Sequence, residues 1–451
     1  MAPADSPDPV PSSEAGPASV TFTTATALAV ADMIGIGVFT SLGFQVIDLP
    51  SGFTVITLWA LGGLVALCGA LSYAELATAL PRSGGEYNFL SRIYHPALGF
   101  LAGWISATVG FAAPVALAAM ALGEYFVGVV PGVPKVLVAL AAVWGVTLVL
   151  LSGAKPSVMF TNVATYLKVA LILVLIVSGF ALGTPQPVSF APSSADLSYI
   201  LSAPFAISLM YVMYSYSGWN AATYIADEIK DPARTLPPAL VAGVIIVMVL
   251  YVALNVVFLY TTPISKLAGQ INVGLIAGEH IFGPGGGRVV GGLICFGLIS
   301  AITAMMWIGP RVTMVMGEDL SALSYFAKRS AAGVPARALV LQLAVATVLV
   351  LTQTFETVLK FVQFSLLSCS MLAVVGVIVL RITQPNLPRP FRVWAYPLTP
   401  LVFAVVTLFI LVYLVRGQPM ESLAGLALML TGLIVFALSS RRQAPGAARN
   451  S

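Results

Sequence analysis

Charged residues are scarce in this chain, and their scarcity excludes a protein that folds in water alone. Only 8% of the 451 residues are Asp, Glu, Lys or Arg, whereas a soluble domain carries about a quarter. Hydrophobic residues make up 59%. Because so few charges are available to cover a wet surface, we predict an all-helical integral membrane protein with a single transmembrane domain over residues 21–440.

Metal ligands and redox-active residues are also few. Cys68, Cys295 and Cys369 lie in three different apolar runs, and none belongs to a CxxC motif. His95 and His280 are far apart in the sequence. This pattern excludes a disulfide framework and a zinc site, and it supports neither a Ser-His-Asp triad nor a paired-carboxylate site. We therefore predict no cofactor, no metal and no enzymatic activity.

The first twenty residues contain no Lys or Arg before the first apolar run, which is unlike a secretory signal peptide. We predict a disordered cytoplasmic tail over residues 1–20 and a second tail over 441–451. The basic residues are scattered, so nucleic-acid binding is excluded. The glycine-rich stretch 283–288 lacks the Gly-Lys-Ser/Thr ending of a phosphate loop and predicts a flexible loop.

Long apolar runs dominate the rest of the chain. A helix needs about 20 apolar residues to cross a bilayer. Runs of about this length predict about twelve transmembrane helices, at residues 22–46, 53–79, 97–127, 136–152, 158–183, 199–226, 238–261, 289–316, 338–353, 357–381, 395–415 and 422–439.

Lys and Arg are distributed unequally between the two sides that these helices define. Of the 21 basic residues, those in the loops on one side outnumber those on the other by about three to one, and Lys168 falls within a helix. The positive-inside rule places the richer side in the cytoplasm. We predict a multi-pass protein of the inner (plasma) membrane with both termini cytoplasmic.

Two apolar runs, the first and the sixth, are interrupted by residues that weaken helices. Residues 33–39 contain Gly35 and Gly37, and residues 214–220 contain hydroxyl side chains and Gly218. Discontinuous helices at corresponding positions of two halves mark an inverted-repeat transporter with its substrate at the midplane. Close packing between helices is the alternative explanation for such small residues.

These residues identify a family resemblance. The sequence is similar to members of the amino acid–polyamine–organocation (APC) superfamily, close to bacterial permeases and L-type amino acid transporters. Three motifs carry the similarity. The first helix contains Ile34-Gly35-Ile36-Gly37-Val38-Phe39, which resembles the family's IGxGIF element. The end of the second helix and the loop after it contain Tyr73-Ala74-Glu75-Leu76 and Pro81-Arg82-Ser83-Gly84-Gly85-Glu86-Tyr87, which resemble YAEL…PxSGGEY, and the sixth helix contains Tyr216-Ser217-Gly218-Trp219-Asn220, followed by Glu228 to Pro237, which resembles YxGWN…E(I/V)xxPxRxxP.

The resemblance implies the LeuT-like fold, in which five helices are repeated with inverted topology. Residues 21–183 would form the first repeat and residues 199–381 the second, with broken helices one and six. Residues 395–439 would add helices eleven and twelve. We therefore expect a secondary transporter that works by alternating access on amino acids.

The first interruption predicts a site for the substrate carboxylate. Where a helix restarts, unpaired amides and the positive end of the helix dipole favour an anion. We expect the amides of Ile36, Gly37 and Val38 to bind it. A side chain at position 37 would hold the ligand away from the backbone.

The sixth interruption predicts the opposite chemistry. Carbonyl groups freed near Tyr214, Ser215 and Ser217 would accept from an α-ammonium group. The negative ends of these carbonyl dipoles would face the ammonium cation. One zwitterion could thus bind to backbone groups at both of its ends.

Four side chains near the interruptions could contribute to specificity. Tyr216, Trp219 and Asn220 are predicted to line and gate the cavity. No carboxylate lies in the sixth interruption itself, which favours neutral amino acids because a second buried cation would be unpaired. Asp32, one turn before the first interruption, could reverse this preference or stand in the cytoplasmic vestibule.

Lys168 is an ionisable residue within the fifth run. Such a residue costs about 2.5–3.5 kcal/mol to insert and suggests a functional site. The resemblance implies that it occupies the position where sodium-coupled relatives bind their ion. We expect its ammonium to donate to carbonyls near the first interruption and to Ser300 or Thr303, and so to take part in coupling. Snorkelling to an interface is the alternative.

The predicted function is sodium-independent secondary transport of amino acids, neutral ones favoured, as a proton-coupled symporter or exchanger. The predicted partners are the amino acid, protons and the lipid bilayer, with no nucleic acid and no obligate protein partner. A polyamine or organocation permease and a membrane sensor with a transporter fold are the alternatives. The sequence leaves open the cargo, the choice between symport and exchange, and the oligomeric state.

Overall fold

The computed structural model describes residues 20–81, 84–154, 158–220, 222–223, 229–319, 323–331 and 333–443. The two predicted tails lie almost wholly outside these ranges. Arg82 and Lys155, two of the basic residues that support the predicted orientation, also lie outside them.

Every named element in the described ranges is a helix, as the predicted fold class requires. The helices are α1 (Phe22–Met33), α2 (Gly37–Asp48), α3 (Gly52–Ala79), α4 (Gly85–Ile93), α5 (Pro96–Ile105), a π-helical turn (Ser106–Gly110), α6 (Ala112–Val129), α7 (Lys135–Leu151), α8 (Val158–Leu182), α9 (Asp196–Ile200), α10 (Ala203–Tyr216), α11 (Pro232–Thr261), α12 (Ile264–Leu267), α13 (Val273–Asp319), α14 (Ser324–Ala327), α15 (Ala336–Thr352), α16 (Phe355–Thr383), α17 (Leu398–Gly417) and α18 (Pro419–Gln443).

The lengths and composition of these helices make the chain a multi-pass membrane protein. Within the described ranges, 8 helical segments are long and apolar enough to cross a bilayer, and α1 with α2 makes a ninth. Helices α7 and α15 are apolar but shorter. Helix α10 ends shortly before residues that are not described. Twelve crossings therefore stay a prediction.

The glycine-rich stretch 283–288 is helical, so the predicted loop there is wrong. Helix α13 continues through it, and only Gly283, with φ 77° and ψ 176°, leaves helical geometry. Pro284 follows, and a proline at the first turn of a helix removes no hydrogen bond that would otherwise form. The stretch is a kink at Gly283 between two helical parts.

Helix α3 and the α5–α6 segment form the centre of the protein. In each, 67% of the most apolar stretch is buried, compared with 22% in α18. Helix α3 packs along α11, and α6 packs along α13. The interrupted helices lie against this centre, because α1 packs on α11 and α10 packs on α2 and α3.

The segment between α12 and α13 rests directly on α2 at Gly43. The amide of Gly269 donates to the carbonyl of Gly43 at 2.8 Å. A Cβ atom at position 43 would lie 2.0 Å from the carbonyl oxygen of Gln270. Only glycine allows this approach, since any side chain would push the segment away from the helix.

Asp196 anchors the start of α9 to the N-terminus of α3. Its Oδ1 accepts from the hydroxyls of Ser51 and Thr54 at 2.5 and 2.8 Å. Its Oδ2 accepts from the amide and hydroxyl of Ser193 at 2.6 and 2.7 Å. These hydrogen bonds, with that of Ser51 the strongest, hold the pKa of the Asp196 carboxyl well below its usual range.

A buried carboxylate joins the other end of α3 to α16. Glu75, only 1% exposed, accepts from Nε and Nη2 of Arg381 at 2.9 and 2.6 Å. The amide of Val393 donates to it at 2.7 Å, and Nε of Arg389 lies 3.6 Å away. The carboxylate therefore neutralises two guanidinium groups and satisfies one backbone donor.

Replacing Glu75 with Gln should destabilise the protein strongly. It would leave the buried Arg389 without its counter-charge, and breaking a buried ion pair costs about 3–5 kcal/mol. Glu124→Gln is the matched control, because Glu124 pairs with the exposed Lys135 at 2.5 Å, and exposed pairs contribute about 0–1 kcal/mol. Thermal unfolding in detergent would compare the two variants; equal losses would contradict the assignment.

Candidate substrate site

The first apolar run is interrupted between Met33 and Gly37. Ile34, with φ −76° and ψ 76°, leaves the helix, and the amide of Gly35 turns back to donate to the carbonyl of Met33 at 2.8 Å. The axes of α1 and α2 differ by 41°. The interruption therefore falls on residues 34–36, within the stretch that carries the two glycines.

The N-terminus of α2 presents the amides of Ile36, Gly37 and Val38. Ile36 precedes the helix and supplies no side-chain cap. Within the described part of the chain, none of these three amides donates a hydrogen bond to another group. Unpaired amides at the positive end of a helix dipole can bind an anion such as a carboxylate.

The C-terminus of α1 leaves carbonyl groups that other helices satisfy. Nζ of Lys168, from α8, donates to the carbonyls of Ala31 at 3.2 Å and Ile34 at 2.7 Å. The hydroxyl of Tyr251, from α11, donates to the carbonyl of Met33 at 2.6 Å. Lysine is the kind of residue that stabilises the negative end of a helix dipole. The predicted contact between Lys168 and the first interruption is thus present in the structure.

Gly37 lies against α10, so its role includes packing. A Cβ atom there would lie 2.6 Å from Cα of Ser215 and 2.5 Å from its Oγ. The hydroxyls of Ser41 and Ser215 are 3.0 Å apart and link α2 with α10. Close helix packing was the alternative explanation for the glycines of this interruption, and the contact with Ser215 shows that packing contributes at Gly37.

Helix α10 ends at Tyr216 and turns at Gly218. Both the amide and the hydroxyl of Ser217 donate to the carbonyl of Tyr214, at 3.0 and 2.6 Å. The carbonyl of Tyr214, which we expected to face an ammonium group, therefore already accepts two hydrogen bonds. Gly218 has φ 102°, a conformation that favours glycine.

The turn at Gly218 brings Asp32 to the sixth interruption. A Cβ atom on Gly218 would lie 2.7 Å from Oδ2 of Asp32 and 2.9 Å from its carbonyl carbon. The sequence alone placed no carboxylate at this point. The structure therefore adds Asp32, an exposed residue, to the region between the two interruptions.

The aromatic residues predicted to gate the cavity pack into the core. The hydroxyl of Tyr216 donates to the carbonyl of Trp59 at 3.1 Å, and the residue is fully buried. The ring of Trp219 lies 4.7 Å from that of Tyr73 and 6.4 Å from that of Phe403. These contacts hold the end of α10 against α3 and α17.

Asn220 and the two predicted hydroxyl partners of Lys168 make local contacts. The carbonyl of Asn220 accepts from the amide and hydroxyl of Thr223 at 2.9 and 2.7 Å. The hydroxyl of Thr303 donates to the carbonyl of Ile299 at 2.8 Å. Ser300 is buried, and no hydrogen bond joins it or Thr303 to Lys168 in the described ranges.

Lys168 instead meets α13 about one turn earlier, at Gly297. A Cβ atom on Gly297 would lie 3.1 Å from Cγ of Lys168. Neither Gly297 nor Tyr251 was predicted from the sequence to lie at this site. A tyrosine in mid-span is a detectable signal, because its hydroxyl needs a partner when it is buried; the glycine gives no such signal.

Comparison with known proteins identifies the family. The family model described as amino acid permease matches residues 20–438. The chain belongs to the amino acid permease family. The resemblance to the APC superfamily is thereby confirmed, and with it the LeuT-like class of fold.

This permease is also similar to curated transporters of mammals. It is 27% identical to the b(0,+)-type amino acid transporter 1 of Mus musculus, over 91% of this chain and 85% of that protein. It is 27% identical to the cystine/glutamate transporter of Homo sapiens, over 93% and 84%. The Asc-type amino acid transporter 1 of Mus musculus is 25% identical, over 91% and 78%. The protein is an amino acid transporter rather than an enzyme.

The two glycines of the first interruption should respond differently to substitution. Gly37→Ala places Cβ against the backbone of Ser215, and overpacking of this kind costs about 1–3 kcal/mol. Gly35→Ala is the control, since the nearest atom to its Cβ is the carbonyl oxygen of Met33 at 4.0 Å. Thermal unfolding in detergent should show a large loss for Gly37→Ala alone. Equal stability of both variants would show that α2 and α10 do not depend on this contact.

Proposed function

We propose that this permease is a sodium-independent, proton-coupled transporter of neutral amino acids, a symporter or an exchanger, that works by alternating access. The observation that carries the proposal is the ammonium of Lys168, which donates to the carbonyls of Ala31 and Ile34 where α1 ends. It is a cation fixed within a membrane span, beside the backbone groups that would bind substrate.

The substrate zwitterion would bind between the two interruptions. The unpaired amides at the start of α2 suit its carboxylate. The carbonyls of Ser215 and Ser217 suit the ammonium group of the substrate better than the carbonyl of Tyr214 does, because the Tyr214 carbonyl already accepts a hydrogen bond from the Ser217 hydroxyl. Because α2 and α10 touch at Gly37 and Ser215, one small molecule could reach both sets of backbone groups.

Sodium independence follows from the space and charge around Lys168. The cavity lined by Gly35, Phe39, Lys168 and Gly297 has about 10 Å³ accessible to water, which is room for about one water molecule. Two of the carbonyl oxygens nearby already accept from the ammonium group. A sodium ion would have to displace the positively charged ammonium group of Lys168, which is covalently attached to the protein.

Proton coupling follows from the dependence of Lys168 on the position of α1. Its charged form is stabilised by two carbonyls that belong to α1, whereas Lys168 itself belongs to α8. If α1 moves relative to α8 between the outward-open and inward-open states, these hydrogen bonds break in one of them. An ammonium group without partners in a low dielectric is costly, so the proton would leave in that state.

The choice of cargo depends on the balance of charge at the interruptions. Lys168 donates to the carbonyls of Ala31 and Ile34, which flank Asp32 in the sequence, so an ionised Asp32 would balance the charge of the ammonium group. A zwitterion with a neutral side chain fits such a site without leaving a charge unpaired. The exposed carboxylate beside Gly218 is the observation that favours the second candidate, a permease for organic cations such as polyamines.

The orientation is proposed from the distribution of basic residues. Loops on one side of the predicted helices carry most of the Lys and Arg, and the positive-inside rule assigns that side to the cytoplasm. Both termini would then be cytoplasmic, in the plasma membrane. Cysteine labelling at introduced terminal and loop positions in intact cells would test this.

Lys168→Met should abolish concentrative uptake. The variant keeps a long apolar side chain but loses the charge that would respond to the proton gradient. Reconstituted liposomes with and without an inward proton gradient would measure accumulation of a labelled mixture of neutral amino acids. Lys135→Met is the control, because Lys135 is an exposed lysine paired with Glu124 at the end of α6, and this variant should accumulate substrate like the unmodified protein.

Replacement of sodium by choline should leave uptake by the unmodified protein unchanged. Strict sodium dependence would refute the proposal that Lys168 takes the place of the ion. Undiminished proton-driven accumulation by Lys168→Met would show that the lysine only anchors α1.

A competition panel should favour neutral amino acids over basic ones and over polyamines. Neutral, acidic and basic amino acids and putrescine would each be tested, as unlabelled competitors, against uptake of the labelled neutral mixture. We expect the neutral compounds to inhibit at concentrations at least about tenfold lower than putrescine does, which corresponds to about 1.4 kcal/mol. Preferential inhibition by putrescine would favour the organic-cation permease.

A further inference from the structure

Asp32 has an unusual position among the carboxylates of this protein. It lies in the last turn of α1, its side chain is exposed, and Gly218 approaches its Oδ2 closely. In the described ranges it has no hydrogen bond and no ion pair within 4.0 Å. A charged group inside a membrane span is costly, and its retention points to a function with an identifiable partner.

The structural carboxylates of the same chain are fully engaged. Glu75 binds two guanidinium groups and a backbone amide, and Asp196 accepts four hydrogen bonds. Glu356 pairs with Lys360 at 2.6 Å and accepts from Tyr211 at 2.8 Å. Asp32 has none of these contacts, so anchoring does not explain it.

The charged side chain that the described residues bring to the end of α1 is that of Lys168. Lys168 reaches this turn from α8 and donates to the carbonyls of Ala31 and Ile34, which flank Asp32 in the sequence. From α11 the titratable group is Tyr251, whose hydroxyl donates to the carbonyl of Met33. Gly218 approaches Asp32 after the end of α10, where residues 217–220 carry no ionisable side chain, and α1 has no other charged residue.

The end of α1 carries the Asp32 carboxylate, and the acceptors of Lys168 lie on Ala31 in the last turn and on Ile34 just after it. Ala31 and Ile34 bind the ammonium on one side, and Asp32 lies between them in sequence and faces Gly218. A movement of α1 that breaks the bonds to Lys168 therefore also moves Asp32. The carboxylate of Asp32 and the two acceptors of Lys168 thus lie on neighbouring residues at the end of α1, whereas Lys168 itself belongs to α8.

We infer that Asp32 is the group that exchanges protons with Lys168 and releases them to water. This inference rests on the proposed coupling through Lys168. In the transfer an N–H bond of the ammonium breaks and an O–H bond forms on the carboxylate, so two opposite charges become two neutral groups. The exposed Asp32 then loses its proton to water, and its carboxylate is restored. A bridging water suffices if the two groups do not touch.

Asp32→Asn tests the inference, with Asp32→Glu and Asp48→Asn for comparison. All would be reconstituted in liposomes, and proton-driven accumulation of the labelled neutral amino acid mixture would be measured across a range of pH. We expect Asp32→Asn to accumulate at least tenfold less substrate and to lose the pH dependence of uptake, while counterflow exchange remains detectable. Asp32→Glu retains a carboxyl group and should retain accumulation. Asp48→Asn, an exposed carboxylate at the far end of α2, should behave like the unmodified protein.

Full accumulation by Asp32→Asn would overturn the inference, and the Lys168→Met result would still decide the proposed coupling independently. Altered selectivity for cationic competitors with intact accumulation would also overturn it, because Asp32 would then bind substrate. If Asp32→Asn does not yield folded protein, infrared difference spectra of the unmodified protein and Asp32→Glu on acidification replace it. A carboxylic acid band that shifts between the two supports the inference, and an identical spectrum overturns it.

Discussion

A helix that stops in the middle of a membrane leaves carbonyl groups without donors, and in this protein Lys168 and Tyr251 supply them. The carbonyls of Ala31, Met33 and Ile34 are each bound by one of these two side chains. In hydrocarbon an unsatisfied backbone group costs several kcal/mol. The interruption of the first helix, and the substrate site proposed there, therefore requires α8 and α11 to be in place.

Close approach of backbones is the second condition for this arrangement. Gly37 allows α2 to touch α10, Gly43 allows the segment before α13 to rest on α2, and Gly218 allows the end of α10 to reach Asp32. Each contact would be broken by a single Cβ atom. Close backbone contacts thus join α2 with α10 and with the segment before α13, and bring the end of α10 to the end of α1.

The all-helical membrane fold could be predicted from the sequence, because long apolar runs have direct physical consequences. The 41° bend between α1 and α2 lies in the stretch where paired glycines predicted an interruption. The sequence also predicted that Lys168 reaches carbonyls of the first helix. It did not predict which face of each helix points inward. In helices that are apolar on all sides no amphipathic pattern marks the buried face, so Tyr216 and Trp219 were assigned to a cavity although they pack in the core. For the same reason, Ser300 and Thr303 were expected beside Lys168 where the structure has Gly297.

The covalent attachment of Lys168 has a consequence for the conditions under which the site holds together. A dissolved ion at the end of α1 would come and go with the salt content of the medium, and the site would empty when the ion became dilute. A side chain has a fixed local concentration that no dilution changes. The contacts with Ala31 and Ile34 can therefore be lost in only two ways, by movement of the helices or by removal of a proton. Folding of the chain itself brings Lys168 to Ala31 and Ile34, so the stability of these contacts does not depend on the concentration of any dissolved ion.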